Sequence, residues 1–138
     1  MSNTPITIMI IEDEEILMDA ILRKIHTTNL TAIAVSNGRD ALSQLQTMQP
    51  LPDAIWLDYY LRDMNGLEFV EEIKKLENLS HIPILVVSNS ANSEIVQKML
   101  ALGVSKYILK AEHKLEEIID MMRELATASQ KNSSYSNS

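Results

Sequence analysis

Residues 9–15 read MIIEDEE, so that an apolar run ends abruptly in four consecutive carboxylates. The run begins at Ile8 and does not alternate polar with apolar residues. A short, continuous apolar run of this kind is typical of a strand that helices cover on both faces, as in a parallel sheet. Four adjacent carboxylates repel one another, so we expect a solvated loop, a helix N-terminus or a bound cation to relieve the crowding.

The same apolar pattern recurs further along the chain, at residues 54–57, 84–87 and 107–109. A weaker candidate at residues 30–35 alternates more, as an edge strand would. Between these runs, apolar residues recur at the three- and four-residue spacing of amphipathic helices. The order is therefore βα repeated five times. It predicts an α/β fold with a five-stranded parallel sheet, in the order 2-1-3-4-5, flanked by five helices: a flavodoxin-like (βα)5 arrangement.

The composition is ordinary for one globular domain, with 138 residues, of which 46% are hydrophobic and 22% charged. The chain has no cysteine, which excludes disulfides, thiolate catalysis and cysteine-based zinc sites. A net charge of −7 argues against a direct nucleic-acid surface, which would need a basic stripe. Since no apolar run is long enough to span a bilayer and the N-terminus lacks signal-peptide features, we expect a cytoplasmic location without membrane contact.

The character of the chain changes after Ala128. Residues 129–138 are rich in Ser and Asn and offer almost nothing to bury. Segments of this composition do not form a packed core and commonly stay mobile. We therefore predict one domain over residues 1–128, followed by a flexible tail or linker over residues 129–138.

The predicted topology brings reactive side chains to one edge of the sheet, because the carboxyl ends of parallel strands meet there. Strand 1 ends in Glu12 and Asp13, strand 3 in Asp58, strand 4 in Ser88 and strand 5 in Lys110. Three carboxylates form an oxygen-rich pocket for a hard cation such as Mg²⁺. Asp58 is also a candidate nucleophile, since aspartate can form an acyl phosphate, and the ammonium and hydroxyl groups suit phosphoryl oxygens.

Over about residues 6–126 the chain resembles a response-regulator receiver domain of the chemotaxis-regulator type. The resemblance rests on four segments, namely MIIEDEE (9–15), IWLDYYLRDMNGLEFV (55–70), PILVVSNS (83–90) and GVSKYILKAE (103–112). Receivers of two-component phosphorelays accept a phosphoryl group from a histidine kinase onto one aspartate. The resemblance thus implies a signalling switch that receives phosphate and at most assists its own phosphorylation and dephosphorylation, rather than an enzyme.

The resemblance also assigns the acceptor and the metal ligands. It implies that Asp58 is the phosphoacceptor, which would become a 4-aspartylphosphate. It further implies a site for Mg²⁺, in which Mn²⁺ could substitute, made by Glu12, Asp13, Asp58 and the backbone carbonyl of Tyr60.

The resemblance implies a switch as well. In it, Ser88 is the switch hydroxyl, Tyr107 is the switch aromatic and Lys110 is the phosphate-binding lysine. The signal would leave through an altered surface of the fourth helix, fifth strand and fifth helix. The expected partners are a histidine kinase or histidine phosphotransfer protein upstream, and a protein target or output domain downstream.

Several positions depart from the family pattern. Arg62 stands where the family often has proline, and Ala111 follows Lys110 where the family usually has proline after a cis bond. Asn89 and Tyr60 are bulky beside the acceptor, where they could crowd the path of an attacking water. These two side chains predict a long-lived phosphorylated form.

Other functions fit parts of the pattern. One is a receiver-like scaffold that works without phosphorylation. An aspartate-dependent phosphatase of the haloacid-dehalogenase type would need a second aspartate where Tyr60 stands. A flavodoxin would need a phosphate loop after strand 1, where the acidic quartet would instead repel the phosphate.

Overall fold

The computed structural model describes the backbone of residues 5–136 and the side chains of residues 5–130. Strands and helices alternate through this part of the chain. The strands are β1 (Ile6–Ile11), β2 (Leu30–Val35), β3 (Ala54–Asp58), β4 (Ile84–Ser88) and β5 (Lys106–Leu109). The helices are α1 (Glu15–His26), α2 (Gly38–Thr47), α3 (Gly66–Lys75), α4 (Ser93–Ala101) and α5 (Leu115–Ser136). A short 3₁₀ helix, Lys110–Glu112, joins β5 to α5.

All five strands pair in parallel, in the order β2-β1-β3-β4-β5, which confirms the predicted topology. The register aligns the carboxyl ends of the central strands. Ile11 of β1 lies beside Leu57 of β3, and Asp58 lies beside Val87 of β4. The residues that follow β1, β3 and β4 therefore emerge at one edge of the sheet.

The sheet is covered on both faces, which explains why its central strands do not alternate. Every residue of β3 and β4 is buried. One face packs against α2, α3 and α4 through side chains such as Phe69 and Ile73, and the other packs against α1 and α5 through Ile21 and Ile118. Each large apolar side chain that is fully buried contributes about 1.5–3 kcal/mol to folding. This packing on both faces thus holds the carboxyl ends of the strands in fixed positions relative to one another.

The loop after β3 is fixed by the start of α3. The Asn65 side chain accepts a hydrogen bond from the backbone N–H of Glu68 (2.9 Å), and the Glu68 carboxylate accepts one from the backbone N–H of Asn65 (3.2 Å). This reciprocal capping box satisfies two donors that a helix start otherwise leaves unpaired. Gly66 N–H also donates to the carbonyl of Tyr59 (2.7 Å), which draws the helix start against the end of β3.

Helix α5 is longer than the sequence indicated. In place of a tail beginning at residue 129, the helical backbone continues to Ser136. Gln130 ties this extension to the domain, since its Nε2 donates to the carbonyl of Pro5 and to Asp53 Oδ2, both at 3.2 Å. Residues 137 and 138 lie outside the described residues, and the domain boundary at residue 128 stays a prediction. No helix in the described part of the chain, α5 included, combines the length and apolar character needed to cross a membrane.

Candidate functional site

Three carboxylates meet where β1 and β3 end side by side. Glu12, Asp13 and Asp58 each offer an oxygen within 4.8 Å of the others. Glu12 and Asp58 are only 1% and 5% exposed, and Asp13 is half-buried. The strand order is what unites residues that lie far apart in sequence. The structure therefore brings together the three acidic residues that the sequence predicted to lie at one cation pocket.

Glu12 faces inward and is held by two contacts. Its Oε2 accepts a hydrogen bond from the backbone N–H of Glu14 (3.0 Å), immediately before α1. Its Oε1 lies 3.4 Å from Nζ of Lys110. A buried carboxylate is tolerated only when it is paired in this way. Glu12 therefore belongs to the site rather than to the solvated surface.

Lys110 supplies the cation that faces this cluster. Its Nζ lies 3.3 Å from Asp58 Oδ1, as well as close to Glu12. Burial opposes the charge on Lys110, but attraction to Asp58 and Glu12 outweighs it, so the pKa of the ammonium is raised above its usual value. Within residues 5–136 the one cis peptide bond is Gln49–Pro50, so the Lys110–Ala111 bond is trans. The lysine reaches the acidic cluster without the family's proline.

Asp58 has an unusual acidity. Burial, then the negative charge of Glu12 and, to a smaller extent, that of Asp13 raise the pKa of Asp58 to about 6. Lys110 acts in the opposite direction and lowers it. Burial and the neighbouring carboxylates thus outweigh the stabilising effect of the Lys110 ammonium on the ionised form of Asp58. A further cation would relieve the excess negative charge and would lower the pKa of Asp58.

Ser88 ends β4 next to the acidic cluster. It is fully buried and lies one residue beyond Val87, the register partner of Asp58. Its Oγ accepts a hydrogen bond from the backbone N–H of Ser90 (3.3 Å). The hydroxyl proton is therefore available to another acceptor.

Ser90 connects the loops around the site, and sequence reasoning missed it. Besides its bond to Ser88, its Oγ shares a hydrogen bond with the Tyr60 hydroxyl (3.1 Å). Its carbonyl accepts one from the Tyr107 hydroxyl (3.0 Å). Tyr107 is half-buried and packs beside Tyr59, with ring centroids 6.2 Å apart. A serine in a polar loop carries no local signal of such partners, which lie 30 and 17 residues away.

Tyr60 and Arg62, which the sequence also singled out, lie at the edge of the acidic cluster. Tyr60 is 55% exposed and forms an isolated antiparallel bridge with Asn65. The metal-ligand role of its carbonyl stays a prediction. Arg62, the residue at the family's proline position, lies with its Nε 3.8 Å from Asp13 Oδ2, and its side chain is 86% exposed. An ion pair this open to solvent is worth little, so it leaves Asp13 free to bind a cation.

Comparison with known families agrees with the resemblance to receiver domains that the sequence indicated. A family model described as the response regulator receiver domain matches residues 8–123. A two-component response regulator of Arabidopsis thaliana is 31% identical over 108 residues, which are 78% of this chain and 17% of that protein. A protein-glutamate methylesterase/protein-glutamine glutaminase of Treponema pallidum is 34% identical over 115 residues, which are 80% of this chain and 28% of that protein. The chain thus spans under a third of the length of either relative.

Solved structures share the fold over nearly their whole length. The phosphorylated cyanobacterial phytochrome response regulator RcpA is 26% identical, with a TM-score of 0.75, and the match covers 88% of this chain and 91% of that one. A CheY-like receiver domain from Methanospirillum hungatei JF-1 is 19% identical, with a TM-score of 0.82, over 94% of this chain and 99% of that one. At its lower identity, the second match is informative about the fold alone.

Proposed function

The chain belongs to the response-regulator receiver family of two-component signalling, and we propose that it is a phosphoryl-accepting switch whose acceptor is Asp58. One observation carries the proposal. The ammonium of Lys110 lies 3.3 Å from Asp58, in a pocket where Glu12 and Asp13 supply two further carboxylates. This arrangement pairs a nucleophilic oxygen with a cation that can neutralise a phosphoryl group.

The proposed reaction starts from a phosphohistidine on a kinase or a histidine phosphotransfer protein. A carboxylate oxygen of Asp58 forms a bond to phosphorus while the phosphorus–nitrogen bond breaks. The imidazole leaves with that electron pair and takes up a proton. Lys110 then neutralises charge on the phosphoryl oxygens. Because the attacking oxygen must be ionised, the reaction requires Asp58 in its carboxylate form.

The acidic residues fit a hard divalent cation. Such ions prefer oxygen ligands, and Mg²⁺ is usually held by one or two carboxylates while it keeps several waters and contacts a phosphate. In the proposed site, Glu12, Asp13, Asp58 and the carbonyl of Tyr60 would hold Mg²⁺, or Mn²⁺ in its place. The bound ion would supply charge neutralisation at the phosphoryl oxygens. The pKa of Asp58 is raised first by burial and then by the negative charge of Glu12, and a bound cation would stabilise the ionised carboxylate that both effects oppose.

The signal is proposed to travel through the loop that holds Ser90. An aspartyl phosphate adds up to about two negative charges. The Ser88 hydroxyl can donate to a phosphoryl oxygen, and movement of Ser88 alters its bond to Ser90. Since the carbonyl of Ser90 accepts from Tyr107, the aromatic side chain is coupled to the same loop. The output is a population shift at the surface of α4, β5 and α5, which a downstream protein or output domain would read.

The proposal is tested by phosphorylating the purified protein. Incubation with a small-molecule phosphodonor and Mg²⁺ should add one phosphoryl group, as read by intact mass. Asp58→Asn should abolish the adduct, whereas Asp120→Asn, at an exposed aspartate on α5, should keep it. Absence of an adduct that depends on Asp58 would instead favour the scaffold that works without phosphorylation.

A further inference from the structure

Arg62 is the second cation at the acidic cluster. Among the described residues, it and Lys110 are the basic side chains that form an ion pair with a carboxylate of the cluster. Lys110 lies inside, between Asp58 and Glu12, and its side chain is only 18% exposed. Arg62 lies on the solvent side, where its Nε is 3.8 Å from Asp13 Oδ2 and its side chain is 86% exposed. Lys110 is therefore committed to the buried carboxylates, whereas Arg62 is accessible from outside.

The backbone that carries Arg62 is held on both sides. Leu61, before it, is buried in the core between the sheet and the helices α2, α3 and α4. Asp63, after it, accepts hydrogen bonds at the start of α2 from the backbone N–H groups of Gly38 (3.0 Å) and Arg39 (2.9 Å). A carboxylate that binds the N–H groups of a helix start is favoured by their charge as well as by the bonds. The backbone at Arg62 thus stays beside the site, while the long side chain is free to turn.

The guanidinium of Arg62 is available to a further partner. Its contact with Asp13 is too long for a hydrogen bond, and an ion pair so exposed is worth little. The side chain can therefore leave Asp13 at a small cost in free energy. An Asp13 carboxylate that binds a cation would attract Arg62 still less. Freed in this way, the planar fork of a guanidinium matches the oxygens of a phosphoryl group.

An incoming phosphodonor meets an acidic site. The three carboxylates of the cluster outnumber the ammonium of Lys110, and the phosphoryl group itself is negatively charged. A cation beside the entrance of such a site reduces the repulsion and raises the rate of association. On the basis of the phosphoryl-accepting function above, we propose that Arg62 is a donor-binding residue, whose positive charge attracts the phosphoryl oxygens of the donor and so speeds their transfer to Asp58.

The test measures how fast acetyl phosphate, an anionic small-molecule donor, phosphorylates the whole chain. In this reaction an oxygen of Asp58 bonds to phosphorus, the bond from phosphorus to the acetyl oxygen breaks, and acetate leaves with that electron pair. Intact mass gives the initial rate, at a Mg²⁺ concentration high enough that more Mg²⁺ no longer raises it. A change in metal affinity then does not affect the comparison.

Three variants are compared with the parent chain. Arg62→Gln removes the charge, and Arg62→Lys keeps it on a different side chain. Arg123→Gln is the matched control, because it removes an arginine that pairs with Asp120 on α5. Each is measured at low ionic strength and again with added KCl, since salt screens interactions between exposed charges.

Arg62→Gln should lower the rate about fivefold at low ionic strength, which is the effect of one exposed charge interaction at the upper end of its range. Arg62→Lys and Arg123→Gln should both stay near the parent rate. Added KCl should slow the parent more steeply than Arg62→Gln.

Two results would overturn this inference while leaving the proposed function intact. One is a parent chain phosphorylated on Asp58 with the same rate and salt dependence as Arg62→Gln. The other is an equal loss of rate in Arg62→Lys and Arg62→Gln, since the lysine keeps the charge. A parent chain without an adduct that depends on Asp58 would overturn the inference together with the proposed function.

Discussion

At the scale of single residues, the site is defined by an imbalance of charge. Three carboxylates and the ammonium of Lys110 share a pocket in which Glu12 and Asp58 are almost completely buried. Sequence reasoning could place Glu12, Asp58 and Lys110 together, because strand ends of a parallel sheet converge and each residue type has a plausible chemical role there. It could not find Ser90 or the Arg62–Asp13 contact, because both depend on how the loops fold over the edge of the sheet.

The raised pKa of Asp58 predicts how stability depends on pH. Since the pKa is about 6 in the folded protein against a usual value of 3.8, the folded state binds the extra proton between those two pH values, and ionisation above them costs stability. Without divalent cations, Asp58→Asn should therefore raise the free energy of unfolding by about 1–3 kcal/mol at pH near 8. The gain should shrink as the pH falls through 6 toward 4. Urea unfolding across this range measures it.

Asp120→Asn serves as the control for this measurement, since it removes an exposed aspartate from α5. Its effect on the free energy of unfolding should be small at every pH. A gain from Asp58→Asn that did not vary with pH would contradict the raised pKa of that carboxyl.

Tyr60 predicts the lifetime of the phosphorylated form. Its hydroxyl shares a hydrogen bond with Ser90 Oγ and so bridges the loops that follow β3 and β4, beside Asp58, the proposed acceptor. Tyr60→Asn should open a path for water and speed the loss of the phosphoryl group about tenfold, which corresponds to about 1.4 kcal/mol in the barrier. Decay followed by intact mass gives the rate. Ile16→Asn, at an exposed position on α1, is the control, and equal lifetimes for Tyr60→Asn and the parent would refute the crowding argument.

At the scale of elements, strands were more predictable than helix ends. The buried strands β3 and β4 carry continuous apolar runs, and such runs predict that a strand is buried on both faces of the sheet. The far end of α5 was not predictable from composition, because its backbone bonds are local and need no apolar side chain. What ties it down is a pair of hydrogen bonds from Gln130 to residues more than 70 positions away.

The capping box of α3 predicts a measurable contribution to stability. Asn65→Ala removes the acceptor for Glu68 N–H and should lower the free energy of unfolding by about 1 kcal/mol. Denaturant unfolding measures the loss. Ser36→Ala, which lies just outside the cap of α2, should cost much less. If both substitutions had the same effect, the box would not be what holds the start of α3.

At the scale of the whole molecule, the fold and the proposed cation site are coupled. A ligand that binds only the folded state stabilises it, by about 2.7 kcal/mol when its concentration is 100 times its Kd. Mg²⁺ should therefore raise the Tm of this protein. Asp13→Asn should remove most of that increase and Glu12→Gln less, because Glu12 is also engaged by Lys110 and by Glu14 N–H.

Thermal unfolding with and without Mg²⁺ tests this coupling. Glu72→Gln, which changes an exposed carboxylate on α3, should leave the Mg²⁺-dependent increase intact. A full increase in the Asp13→Asn variant would place the cation elsewhere.

Trp56 has an optical consequence for the whole molecule. It is the one tryptophan in the sequence, is almost completely buried, and lies two residues before Asp58 on the same strand. Alternate residues of a strand face the same side of a sheet, so the indole and the Asp58 carboxylate share a face. Under excitation that selects tryptophan over the four tyrosines, the intrinsic fluorescence of the protein therefore comes from a single indole close to the acidic cluster. Its emission should report unfolding, as well as the proposed cation binding and phosphorylation, without any attached label.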